Sequence, residues 1–182
     1  MTALDNPWSA TVRADEVAET GRHVELAPNE AVRAAVAKAA NVDAVDALTA
    51  SFDLTRRGRD GLRAAGIVRA TVRQTCVVSL EPVTNIVEEA IDVTFAPLRA
   101  PVAGPESSEP YASASRGADE PEPLVNGAVD LGALATEFLI LGVDPYPRRD
   151  GIAFTPPAAA SDLVEHPFAG LAALKNASKV KD

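Results

Sequence analysis

Cys76 is the single thiol of the chain, and it opens the run Cys76-Val77-Val78-Ser79-Leu80-Glu81-Pro82 behind Gln74-Thr75. A cysteine acts as a nucleophile only when a base or a positive field draws off its proton. Whether a base stands beside it is set by the fold and not by the sequence, and Val77 and Val78 suit a buried, structural thiol. The two histidines, His23 and His166, lie in segments with no second metal ligand at a regular spacing, which fits incidental positions better than a metal centre. The longer signatures are missing as well: no G-x-S-x-G, no G-x-x-x-x-G-K-[ST], no G-x-G-x-x-G and no H-E-x-x-H. The expectation is a chain with no catalytic residue, no cofactor and no metal, a binding protein and not an enzyme.

Glu137 is the most suggestive single residue, because it stands among Leu134, Phe138, Leu139, Ile140 and Leu141. At 3.6 residues per turn it falls on the flank of the apolar stripe. It either stays exposed there, pairs in the interior with an arginine such as Arg69 or Arg73, or meets a partner directly.

The elements that would carry these residues follow from the hydrophobic spacing. Trp8-Ser9-Ala10-Thr11-Val12 alternates as a strand does, and Val24 and Leu26 mark a short extended piece. Pro28-Asn29-Glu30 opens a helix in which Val32, Ala35, Val36 and Ala39 form the packed stripe, with Arg33 and Lys38 pointing away. Val68, Ala70 and Val72 share one strand face, and Val87, Ile91, Val93 and Phe95 face inward from another, Glu89 being the exception. Arg69 and Arg73 then oppose Glu88 and Asp92, so the arginines either pair across the strands or leave a basic face open to phosphate. Asp130 is placed as the N-cap of a second helix that Gly142 and Pro145 end. The fold class is α+β: a mostly antiparallel sheet from segments near 8–14, 46–54, 66–75 and 86–96, packed by helices near 29–40 and 130–141.

Composition limits what such a fold can do. The hydrophobic share is 47%, yet 35 of the 182 residues are alanines and aromatics are 4%, so the core is built from Val, Leu and Ile. A single domain over 1–155 is expected, with an acidic Pro/Ser-rich loop at 97–123 that has little to bury and stays disordered. A flexible tail follows at 156–182, with a short amphipathic segment at 167–175. Met1 to Ala10 lacks an apolar signal region, and Leu131–Val143 is too short to span a bilayer. One cysteine forms no internal disulfide. A cytoplasmic protein is expected, with neither DNA nor membrane as partner. The net charge of −9 is uneven: residues 51–80 carry +4 and residues 81–130 carry −8. That balance argues against sequence-independent phosphate binding, which depends on cations.

Three islands, Gln74–Pro82, Val129–Gly151 and His166–Lys175, resemble in order and spacing the YceD family, the large ribosomal RNA subunit accumulation proteins. The family's C-x-x-C-x-x-P element stands here as Cys76, Ser79 and Pro82, with Ser79 replacing the second cysteine. The cysteine that many relatives carry after the later proline segment is absent, so a zinc site does not carry over. Asp130-Leu131, Glu137 and Pro145-x-Pro147 match the family's helix and its proline-rich exit, and Pro167 to Lys175 matches its terminal element. The QTCV and DPYP variants look like the alphaproteobacterial branch. The resemblance implies a role in large ribosomal subunit biogenesis and accumulation of its rRNA, through a ribosomal protein or an rRNA precursor. Partner contact is expected at Arg69, Arg73, Glu137, Phe168, Leu171, Leu174 and Lys175. The alternative is an acidic adaptor or chaperone for a basic protein unconnected with ribosomes. The oligomeric state is open.

Overall fold

The structure is a computed structural model that describes residues 6–58, 60–97 and 121–154. Seven strands and two helices follow one another as β1 (Thr11–Arg13), β2 (Arg22–Leu26), α1 (Glu30–Ala39), β3 (Ala44–Arg57), β4 (Gly61–Thr75), β5 (Pro82–Pro97), β6 (Glu122–Leu124), β7 (Ala128–Asp130) and α2 (Leu131–Gly142). The main sheet has the order β2-β3-β4-β5-β6, antiparallel throughout except for the parallel pair β5–β6, and β1 pairs with β7 in a separate two-stranded ribbon. This is an α+β fold with two helices.

The period-2 pattern decides which face is buried. Leu62, Ala64, Val68, Ala70 and Val72 of β4 point inward with Phe52 and Leu54 of β3 and Val87, Ile91 and Phe95 of β5. Helix α1 packs on β3, and α2 packs on β5 and β4 and reaches β1. Side chains as fully enclosed as Phe52, Leu131 and Leu139 each contribute roughly 1.5–3 kcal/mol by leaving water. Gly66 is part of this packing. A Cβ there would stand 2.1 Å from the Ser51 carbonyl oxygen and 2.9 Å from the Phe52 ring, so only a bare backbone lets Phe52 lie across β4.

Both helices are started by side chains. Asn29 accepts from the Val32 amide, and Asp130 accepts from the amides of Gly132 and Ala133. Asp130 also takes the Ala10 amide at 2.8 Å and the Ser9 hydroxyl at 2.6 Å, so one carboxylate caps α2 and anchors the N-terminal strand. Burial pushes its pKa up, but the bonds from Ala10, Ser9, Ala133 and Gly132 outweigh that and hold it below the ordinary value.

Several expectations need correction. The 8–14 segment does not join the main sheet; Thr11–Arg13 pairs instead with Asp130–Ala128, because Asp130 and the Leu131 amide hold it there. In α1 the buried stripe runs through Val36, Ala37 and Ala40, with Ala39 exposed, and Arg33 lies half-buried with a bond to the Pro28 carbonyl. Order resumes at Glu122, not at Leu124, since β6 is paired to the end of β5. Most of the 97–123 segment expected to be a disordered loop, and all of the 156–182 tail, lie outside the described residues. No helix among the described residues is long and apolar enough to cross a membrane.

Candidate partner-binding surface

The β4–β5 hairpin has two contrasting surfaces. On the face away from the helices, the arginines expected to be either paired or free are paired. Arg69 sits opposite Glu88 and contacts it at 2.7 Å, and each holds the other in its charged form: the Arg69 pKa is raised and that of Glu88 lowered by the hydrogen bond between them. Arg73 does not meet Asp92. It faces Thr84 on β5 and reaches back across β3 to Asp46 at 2.9 Å, while Asp92 is taken by Arg63. The irregular register between Val45 and Ala47 places Asp46 on this face beside Arg73. At the far edge of the sheet His23 bonds Asp53 at 2.7 Å, which raises its pKa.

The closed end of the hairpin is built differently. From Cys76 to Glu81 the chain folds back on itself: the Cys76 amide donates to the Glu81 carbonyl at 2.8 Å and the Leu80 amide to the Cys76 carbonyl at 3.0 Å. Leu80 takes a left-handed φ of 60° to complete the turn. The chain leaving α2 is strapped onto this turn. The Val77 amide donates to the Pro147 carbonyl at 2.9 Å, and buried Gln74 donates to the Asp144 carbonyl at 2.8 Å while accepting from Asn85. Arg149 adds a backbone bond to the Cys76 sulfur and an ion pair with Glu81. The first two sequence islands, seventy residues apart in number, are thus one piece of structure.

Cys76 is enclosed at its centre. The Ser79 hydroxyl first, and then the amides of Ser79 and Arg149, stabilise its thiolate against the smaller opposing effect of burial, and its pKa falls from 9.0 to about 6. A base beside it is not what lowers the value, and the sulfur has no exposed surface for a substrate to approach. Among the described residues no group of three or more His, Cys, Asp or Glu is arranged to hold a metal.

Val77, Ile140, Val143, Pro145 and Pro147, together with the polar Asn41, Asp43, Gln74, Thr75 and Asp144, line an open cleft of about 510 Å³ of mixed polarity. Leu80 on the turn, Leu141 at the end of α2 and Tyr146 on the strap are exposed by 76%, 74% and 70%. Glu137 is exposed on α2 and stands three and four residues before Ile140 and Leu141, so it adds a carboxylate to the same helix face. It does not pair with Arg69 or Arg73, whose partners are Glu88 and Asp46. Sequence reading found Glu137 and missed the exposed Leu80, Leu141 and Tyr146, because the turn and the strap that carry Leu80 and Tyr146 are joined by backbone hydrogen bonds between distant segments. Phe168, Leu171, Leu174 and Lys175 lie outside the described residues.

No curated protein and no solved structure matches the chain. One family model does, described as large ribosomal RNA subunit accumulation protein YceD, over residues 64–175. That span holds β4 from Ala64 onward, β5, the turn between them and the strap after α2, and it covers more than half of the chain: the protein belongs to the YceD family.

Proposed function

We propose that this chain supports biogenesis of the large ribosomal subunit, and accumulation of its rRNA, by holding a basic ribosomal protein and without catalysing a reaction. The observation that carries this reading is the cleft of mixed apolar and acidic lining where the Cys76–Glu81 turn meets the strap, most of it within the span that matches the family. Exposed Leu80, Leu141 and Tyr146 on the turn, the helix end and the strap offer what a partner could bury, and Asp43, Asp144 and Glu137 favour a cationic one. The paired state of Arg63, Arg69 and Arg73 supports a protein partner over an rRNA precursor, since a phosphate would first have to displace a carboxylate from each. A cytoplasmic location belongs to the same reading.

The test is genetic and physical together. Deletion of the gene lowers large-subunit rRNA relative to small-subunit rRNA, and the wild-type chain restores the ratio. A chain with Leu80→Asp and Tyr146→Asp, both exposed positions, folds and does not restore it. The tagged wild-type protein travels with large-subunit precursors in a sucrose gradient and crosslinks there to a ribosomal protein. An unchanged rRNA ratio, or migration only with non-ribosomal protein, overturns the reading in favour of an acidic adaptor unconnected with ribosomes.

A further inference from the structure

The register of β5 with β4 runs without a break from Pro82 opposite Thr75 to Phe95 opposite Leu62. On its other side β5 is paired only at Phe95–Pro97, by β6. From Val83 to Thr94, therefore, one row of backbone N–H and C=O groups has no backbone partner among the described residues. A strand edge of this length templates the addition of another strand, and proteins that leave one open usually blunt it with proline, lysine, a bulge or shortness. None of these four is present here, and the inward-turned charge of Glu89 is the one guard the edge carries among the described residues. There is no proline between Pro82 and Pro97, no lysine or arginine in β5 and no register shift, whereas the opposite edge strand, β2, has five residues.

We infer that the Val83–Thr94 edge of β5 is a docking site for an extended, basic segment of another protein, which adds to the sheet as a further strand. The inference rests on the basic protein partner proposed above and specifies how it is held. Main-chain hydrogen bonds would supply affinity, and side chains on alternate positions the selectivity. The selecting groups are Glu89 and Ile86, which is 81% exposed. Glu89 points to the α2 side of the sheet, where its side chain lies against Gly142, and it has no ion-pair partner among the described residues, whereas Glu88 and Asp92 on the other face are already held by Arg69 and Arg63. Two other occupants fit less well. A second copy of β5 has no cation of its own to answer Glu89. Residues 98–120 of this chain contain three prolines, which supply no N–H to a ladder, and four acids.

The test uses the full chain and a dodecapeptide alternating lysine and valine. It binds at least about tenfold tighter than a lysine–proline dodecapeptide of equal charge, which lacks half the backbone donors and cannot form a ladder. On binding, amide exchange slows within residues 83–94, and Ile86→Lys, a change at an exposed position, weakens binding by about tenfold or more while leaving the melting temperature in place. Equal affinity for the two peptides, or protection elsewhere than 83–94, overturns the inference, as does failure of the lysine–valine peptide to bind. If that failure comes while the tagged protein still travels with large-subunit precursors, strand addition alone falls and the ribosomal role stands.

Discussion

The outer face of the β4–β5 hairpin and its closed end are a few residues apart in sequence and opposite in how they satisfy their groups. On the outer face each arginine is answered by a carboxylate of the same sheet: Arg63 by Asp92, Arg69 by Glu88, Arg73 by Asp46. At the closed end the polar groups are also answered, but by backbone: Gln74 by Asp144, Val77 by Pro147, Cys76 by Ser79 and Arg149. What remains over at that end is a mixture of exposed apolar side chains and a few carboxylates. The lesson is that a row of arginines is no measure of a protein's appetite for phosphate. The surface offered to a partner is the one whose groups the fold has not already used.

The contrast predicts its own tests. The largest effect is expected from Gln74→Ala. It removes a buried side chain and leaves the Asp144 carbonyl and the Asn85 amide without their partner in a half-buried place, and costs about 1–3 kcal/mol in urea unfolding. Amide exchange at Val77 should rise with it, as the strap loosens. Arg73→Ala, one residue away but on the outer face, should leave the urea midpoint unchanged. Equal losses from the two would erase the distinction.

A smaller effect separates the regions by pH. The Cys76 pKa is lowered to about 6 from 9.0. The stability this contributes is complete above the unfolded value and is lost as pH falls through about 6. Stability of the wild type relative to Cys76→Ala should therefore climb between pH 6 and 9. His23 is the mirror case. Its pKa is raised above 6.5 by Asp53, so its contribution is complete below 6.5 and is lost as pH rises through the raised value. Stability relative to His23→Gln should decline over that interval, and slopes of the same sign for both substitutions would contradict the assignment.

The smallest effect is expected from exchanging charges on the outer face. Arg69→Glu together with Glu88→Arg keeps the pair and should leave both the thermal melt and rescue of the rRNA ratio as in the wild type. Loss of rescue in that double variant would show that the orientation of the pair is read by a partner, and would restore Arg69 as a contact residue.

What could be read in advance was whatever depends on local pattern. Both helices begin where their caps stand, at Asn29 and Asp130, because capping is a contact between near neighbours. The centres of the three long strands were legible from alternation, but their ends were not. Gly61-Leu62-Arg63-Ala64-Ala65-Gly66 has poor strand propensity and is strand because Arg57–Phe52 hold it in register. The hairpin joining β6 to β7 carries a local signal too: Asn126-Gly127 takes the doubly left-handed turn, with φ of 53° and 72°, that such a dipeptide favours, directly after an acidic, proline-rich stretch without strand pattern. The meeting of residues 74–82 with 143–149 left no trace in periodicity, since its bonds run largely through peptide groups that every residue carries.

The pairing of β1 with β7 imposes an order on the birth of the protein. Ser9 and Ala10 find their anchor in Asp130, 121 and 120 positions later, so β1 leaves the ribosome long before β7, the strand it joins. Throughout that interval Trp8 and Val12, both interior residues in the finished molecule, must wait uncovered. Closure of this seam is then a late, long-range step in maturation, and a nascent chain stalled before Asp130 would carry a loose N-terminal end for a chaperone or protease to find.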